Sequence, residues 1–170
     1  MACYTRAECG RLDGGGIMIS NELVTVSDTL INLHRKAYDD SPSPMKLQKL
    51  CYYAQAIHMA AKGGEELFSE DFQAWTHGPV IAALYHKFKE FGWRSISTEI
   101  AEVVLPKETV EFLSLIVDSY GRYDGAALST MTHQESPWLE ARADLAETEG
   151  SNKIISKESM RLFFTQQLTA

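Results

Sequence analysis

The sequence predicts a mainly α fold: a compact single-domain helical bundle around a central helix, with a small extended or β element. Apolar residues recur at the spacing of one helix face along most of the chain. Prolines and glycines lie where such helices would begin and end. A chain of 170 residues is also long enough to bury one sizeable core.

The central helix is predicted at residues 44–61. Pro44 suits the first helical position, and the hydroxyl of Ser43 can accept a hydrogen bond from a free N–H of the first turn. One apolar stripe is formed by Leu47, Leu50, Cys51, Ala54, Ile57 and Ala61. A different face carries Lys46, Lys49 and Tyr53. Because only this face is plainly charged, we expect the helix to be buried on two sides, with the lysines in solvent.

Residues that cap helices, and prolines and glycines that interrupt them, predict the positions of the remaining helices and strands. Helices are predicted at residues 27–38, 79–91, 106–120, 125–132, 136–146 and 156–168. Ser27 or Asp28 would cap the first of these, and Pro79 would begin the second. Residues 71–75 are predicted to form a short strand, and residues 93–105 either a β-hairpin arm or an extended loop.

Residues 1–20 are predicted to be a disordered N-terminal extension, and residues 21–170 the helical domain. The glycines at residues 14–16 make a flexible break, and no periodic pattern precedes them. Met18 lies immediately before a more regular sequence, which leaves both Met1 and Met18 open as the start of translation.

Charge and cysteine usage lead us to expect a cytoplasmic protein. The net charge of −7 disfavours a protein built mainly to neutralise the phosphates of a nucleic acid. The three cysteines do not make a disulfide framework. No segment reaches the roughly 20 apolar residues needed to cross a bilayer, and the start has no apolar region of the secretory type.

Motifs that carry chemistry are missing or weak, so we predict no enzyme, no metal and no cofactor. The five histidines include no HExxH pattern, and no CxxC occurs. Ser129 and His133 are four residues apart and can approach each other, but no Gly-x-Ser-x-Gly elbow surrounds any serine. Two alternatives remain less favoured: a hydrolase that uses His133, and a DNA-binding regulator that uses the face of Lys46, Lys49 and Tyr53.

Aromatic and polar residues gather at or near the predicted turns. They are Trp75, His77, Gly78, Pro79, Tyr85, His133, Pro137 and Trp138. Each large aromatic residue among them can belong to the core. A partly exposed Trp or Tyr is, however, also a typical anchor of a protein–protein interface.

Three motifs carry a family resemblance. The first is MKLQKLCYYAQ at residues 45–55. The second is AWTHGPV at residues 74–80, followed by Leu-Tyr at residues 84–85, and the third is LSTMTHQESPW at residues 128–138. In order and spacing they resemble the Panacea domain, the SocA-like antitoxin family, which includes phage-associated proteins. The resemblance extends over about residues 27–164.

The resemblance implies an antitoxin that neutralises a cognate toxin by direct binding, with no catalytic residue and no cofactor. Some of the family are proteolytic adaptors that deliver the toxin to a Clp-type protease, which is the alternative function. No membrane is expected as a partner, and nucleic acid is disfavoured. The candidate partner-binding residues, with the lysines as rim charges, are Lys46, Lys49, Tyr53, Trp75, His77, Tyr85, His133 and Trp138.

Overall fold

Helix α2 (Pro44–Ala61) is the centre of the fold in the computed structural model, which describes residues 11–12 and 17–170. The other α helices are α1 (Asn21–Tyr38), α3 (Ala82–Phe88), α4 (Lys107–Tyr120), α5 (Gly125–Thr132), α6 (Ser136–Ala141) and α7 (Lys157–Thr169). Helices α1, α3, α4, α5 and α7 all pack against α2. Every residue from 47 to 56 is buried, so this stretch contacts protein on all of its faces. The predicted mainly α bundle around a central helix is confirmed.

Local signals for the start and end of several helices are confirmed. The hydroxyl of Ser43 accepts a hydrogen bond from the N–H of Lys46 at the start of α2, where Pro44 occupies the first turn. Gly121 follows the last residue of α4, as the sequence predicts. Within the described part of the chain, no helix is long and apolar enough to cross a membrane.

Helix α1 begins earlier than predicted. Its cap is Ser20, whose hydroxyl accepts a hydrogen bond from the N–H of Leu23, 3.1 Å away. Ser27, the predicted cap, is buried inside the helix and donates its hydroxyl to the carbonyl of Val24. The prediction of a start at residue 27 is wrong because a mid-helix serine can satisfy itself on the preceding turn without ending the helix.

The segment before α1 contributes to the fold. Strand β2 (Met18–Ile19) pairs antiparallel with β1 (Arg11–Leu12), and the side chain of Ile19 is buried. The rest of the predicted extension, residues 1–10 and 13–16, lies outside the described residues.

A β-hairpin lies on α2. Strand β3 (Gln73–Trp75) pairs antiparallel with β4 (Gly78–Val80), so that Ala74 faces Pro79 and Trp75 faces Gly78. The short strand predicted at residues 71–75 is therefore confirmed in place. The predicted helix start at Pro79 is wrong, because this proline belongs to β4 and the helix begins after it, as α3.

Two further segments differ from the predictions. Residues 93–105 form an extended loop, which the guanidinium of Arg35 holds by donating to the carbonyls of Ile96 and Thr98 at 2.9 and 2.7 Å. Of the two forms left open for this segment, the loop is the observed one. Helix α6 ends at Ala141, short of the predicted end at residue 146, because the following chain folds back around Arg142.

Candidate interaction site at the hairpin corner

The three sequence motifs meet at one place, which we call the hairpin corner: the hairpin of residues 73–80 together with residues 129–138, where α5 turns into α6. Helix α2 lies beneath both parts. Ser129 joins them by donating its hydroxyl to the carbonyl of His77 at 2.7 Å. Trp138 joins them a second time, because its indole N–H donates to the carbonyl of Trp75 at 3.0 Å.

Gly78 allows the hairpin to lie this close to its neighbours. Its φ of +100° is in the region that favours glycine. A Cβ atom at this position would stand 2.7 Å from the hydroxyl oxygen of Thr132 and 2.8 Å from Cε of Lys49. Both distances are shorter than any ordinary contact of a side chain. The start of β4 is thus fitted to a residue of α2 and a residue of α5.

Lys49 lies beneath Gly78 and Pro79 and is buried, with 1% of its surface exposed. Its ammonium group donates to the carbonyl of Pro79 at 3.2 Å and has no carboxylate partner in the described chain. Burial lowers the pKa of Lys49 to about 7. The prediction that Lys49 is a solvated rim charge is wrong, since its aliphatic stem and its amine are both used inside the corner.

Gln48 fixes the end of the hairpin, and the sequence analysis missed it. Its amide group accepts from the backbone N–H of Ile81 at 2.9 Å and donates to the carbonyl of the same residue at 3.0 Å. Both groups lie just beyond β4, where the sheet ladder ends. A buried glutamine with two backbone partners cannot be told from a surface glutamine by helical spacing alone.

Arg142 is the second residue that the sequence analysis missed. Its side chain is buried, lies 5.0 Å from the ring centre of Trp138, and donates to the carbonyl of Ala74 at 2.8 Å. The other terminal nitrogen of the guanidinium donates to the carbonyls of Ala146, Glu147 and Glu149. One side chain therefore connects β3, the corner and the loop after α6.

Trp138 and His133 pack against each other inside the corner. Their rings are stacked with centres 4.0 Å apart, and Trp138 is 4% exposed. Burial is the largest of the effects that lower the pKa of His133, and the nearby Lys49 lowers it further. Of the two roles left open for Trp138, a partner contact and a core position, the structure shows a position in the core that supports the hairpin.

Tyr53 is likewise a core residue. It is 1% exposed, its ring is stacked on Tyr120 at 4.0 Å, and its hydroxyl donates to the carboxylate of Glu135 at 2.8 Å. Burial raises the pKa of Glu135 to about 7, although the hydrogen bond from Tyr53 acts in the opposite direction. Of the two roles left open for Tyr53, a core position and a partner contact, the structure shows the core position, because α4 and the corner cover it.

The exposed part of the corner is its outer face, which we define as Trp75, His77 and Tyr85. His77 is exposed, Tyr85 is 39% exposed, and Trp75 is partly exposed. The rings of Trp75 and Tyr85 meet edge to face with centres 5.0 Å apart. The indole N–H of Trp75 donates to the side-chain oxygen of Gln73 at 2.7 Å, which fixes its orientation.

Lys46 lies apart from the outer face. It is partly buried at the start of α2, and its ammonium group donates to the carbonyl of Gly121 at 2.5 Å. In the part of the chain that the structure describes, no group of three or more His, Cys, Asp or Glu side chains is arranged to hold a metal ion.

The central part of the chain matches a known protein family. The family described as Antitoxin SocA-like, Panacea domain matches residues 47–139, a stretch that contains most of α2 and the whole hairpin corner. No curated protein and no solved structure matches the chain.

Proposed function

This chain belongs to the SocA-like antitoxin family with the Panacea domain, and we propose on that premise that it neutralises a cognate toxin by direct protein–protein binding. Membership of the family supports an antitoxin role, and such a role implies a toxin as partner. The mechanism that we propose is occlusion, in which the antitoxin covers a surface that the toxin needs. A stable complex of this kind buries roughly 1,200–2,000 Å² in total.

The outer face is the surface that we propose for toxin binding. The observation that carries this choice is an aromatic pair that reaches the surface, the partly exposed Trp75 of the hairpin and the exposed Tyr85 of α3. Gln48, Trp138 and Arg142 hold the hairpin from behind. Trp and Tyr are the residues that most often anchor interfaces. Because the support is already formed, little conformational freedom would be lost when a partner docks.

The test of this function uses the reading frame adjacent to that of the antitoxin. Its product is expressed in cells with and without the full-length antitoxin, and growth and co-purification are measured. We expect the antitoxin to restore growth and to co-purify with the adjacent product in a fixed ratio. Growth arrest that persists despite equal expression, with no complex recovered, would overturn the proposal.

The proteolytic adaptor is the second outcome that this experiment can distinguish. Occlusion predicts that the amount of toxin is the same in cells with and without a Clp-type protease, and that growth is restored in both. An adaptor predicts that toxin is lost, and growth restored, only where the protease is present. We propose occlusion, so protease-dependent loss of toxin would replace it with the adaptor function.

A further inference from the structure

The amine of Lys49 is buried, and no carboxylate of the described chain is paired with it. The groups near it are the Pro79 carbonyl, the backbone of Gly78 and, further away, the imidazole of His133. None of these is an acid, and burial is the only cause that shifts its pKa. An amine that leaves water for such a site is stabilised in its neutral form, because the charged form loses its hydration without gaining a counter-ion.

Glu135 is a second buried ionisable group of the hairpin corner, and it is an acid. One carboxylate oxygen accepts the hydroxyl of Tyr53, and the other is buried with no hydrogen-bond partner in the described chain. The hydroxyl of Tyr52 lies near enough to influence this carboxyl but makes no hydrogen bond of ordinary geometry. Tyr120 also faces the carboxyl. Three tyrosines interact with this acid, and none of the ion pairs in the described chain includes it.

We infer that the contact between α2 and the hairpin corner is a pH-sensitive element, which holds most weakly near neutral pH and more tightly in mild acid and mild alkali. Lys49 and Glu135 both lie in this contact, and each is buried without a partner of opposite charge. Near neutral pH the unfolded chain carries both charges in water, whereas the folded chain must either hold them without a partner of opposite charge or give them up. The inference needs no toxin and is independent of the proposed function.

The signs follow from the two pKa values. Burial raises the pKa of Glu135 from 4.5 to about 7, so the folded state holds a proton that the unfolded state releases, and stability falls as pH rises towards 7. Burial lowers the pKa of Lys49 from 10.5 to about 7, so the unfolded state holds the extra proton, and stability falls as pH falls towards 7. The combined contribution of the two groups to the stability of the folded state is therefore lowest near pH 7.

The experiment measures denaturant unfolding of the full chain at three pH values, near 5, 7 and 9, for wild type, Glu135→Gln and Lys49→Met. Glutamine resembles the protonated acid, and methionine replaces the aliphatic stem of the lysine without its charge. Since one pKa unit is a factor of ten in an equilibrium constant, we expect the folding constant of wild type relative to Glu135→Gln to fall at least tenfold from pH 5 to 7. Relative to Lys49→Met it should rise at least tenfold from pH 7 to 9.

Exposed residues of the same types serve as controls. Glu111→Gln and Lys107→Met remove a charge from an exposed pair on α4, and their folding constants relative to wild type should not change with pH. If the folding constants of Glu135→Gln and Lys49→Met relative to wild type also stay the same at all three pH values, the inference is overturned. Should Lys49→Met fail to fold, Lys49→Gln replaces it. A carbon NMR titration of Glu135 in wild type then tests the change predicted between pH 5 and 7. A pKa near 7 for Glu135 supports the inference, and an ordinary pKa overturns it.

Discussion

Replacing Gly78 with alanine is expected to lower the free energy of unfolding by about 2–5 kcal/mol, because two costs add. A residue with a Cβ atom is strained at a φ of +100°. The new atom would also stand less than 3 Å from Thr132 and from Lys49. Lys49 is buried, so its side chain has little room to move aside. The measurement is the midpoint and slope of denaturant unfolding for the purified variant.

Gly63 supplies the matched control for this experiment. It also has a positive φ, of +64°, but a Cβ atom there would meet nothing within 4 Å. Gly63→Ala should therefore show only the backbone strain, about 1 kcal/mol. Equal losses in the free energy of unfolding for the two variants would mean that the close fit of Gly78 against α2 and α5 contributes nothing measurable.

Replacing Arg142 with alanine is expected to cost about 3–5 kcal/mol, because a buried charged group with several partners is removed. The buried carbonyl of Ala74 loses its guanidinium donor, and the ring of Trp138 loses a packed neighbour. Arg142→Lys should recover only part of the loss, since an ammonium group cannot reach carbonyls in so many directions. Thermal and denaturant unfolding measure both variants.

Arg161 is the control for the loss of an arginine as such. It forms an ion pair with Glu158 one turn earlier on the exposed side of α7. Pairs of this kind contribute little to stability, so Arg161→Ala should unfold close to wild type. If Arg142→Ala also unfolds close to wild type, Arg142 does not hold the corner together.

The sequence predicted those features that depend on local chemistry. Ser43 and Pro44 identify the start of α2 because a cap and a first-turn proline act within one turn of helix. The same local reasoning predicts a helix start at Ser27, and that prediction is wrong. A serine hydroxyl can bond forwards as a cap or backwards as an interior residue, and only the preceding chain decides which.

The site was predicted as a set of motifs but not as an arrangement. Lys49 was assigned to solvent because a lysine on a helix face usually reaches water. Its acceptor, the carbonyl of Pro79, lies 30 residues further along the chain and cannot be inferred from helical spacing. Arg142 gave no local signal at all, because its role depends on how the chain after α6 folds back.

In the function that we propose, the outer face binds the toxin while the residues beneath it hold the hairpin in place. Alanine at both Trp75 and Tyr85 removes the aromatic pair of the outer face but keeps the backbone carbonyl of Trp75 that Trp138 binds. Trp93, which is 78% exposed in the extended loop, supplies a control tryptophan outside the corner. Circular dichroism establishes that each variant is folded.

The most direct test is the dissociation constant of each purified variant for the product of the adjacent reading frame. Loss of two interface anchors should weaken binding about a hundredfold or more for Trp75→Ala with Tyr85→Ala. Trp93→Ala should bind within about threefold of wild type, since less than 1 kcal/mol separates such constants. A folded double variant that binds as tightly as wild type would contradict the account, as would a larger loss for Trp93→Ala.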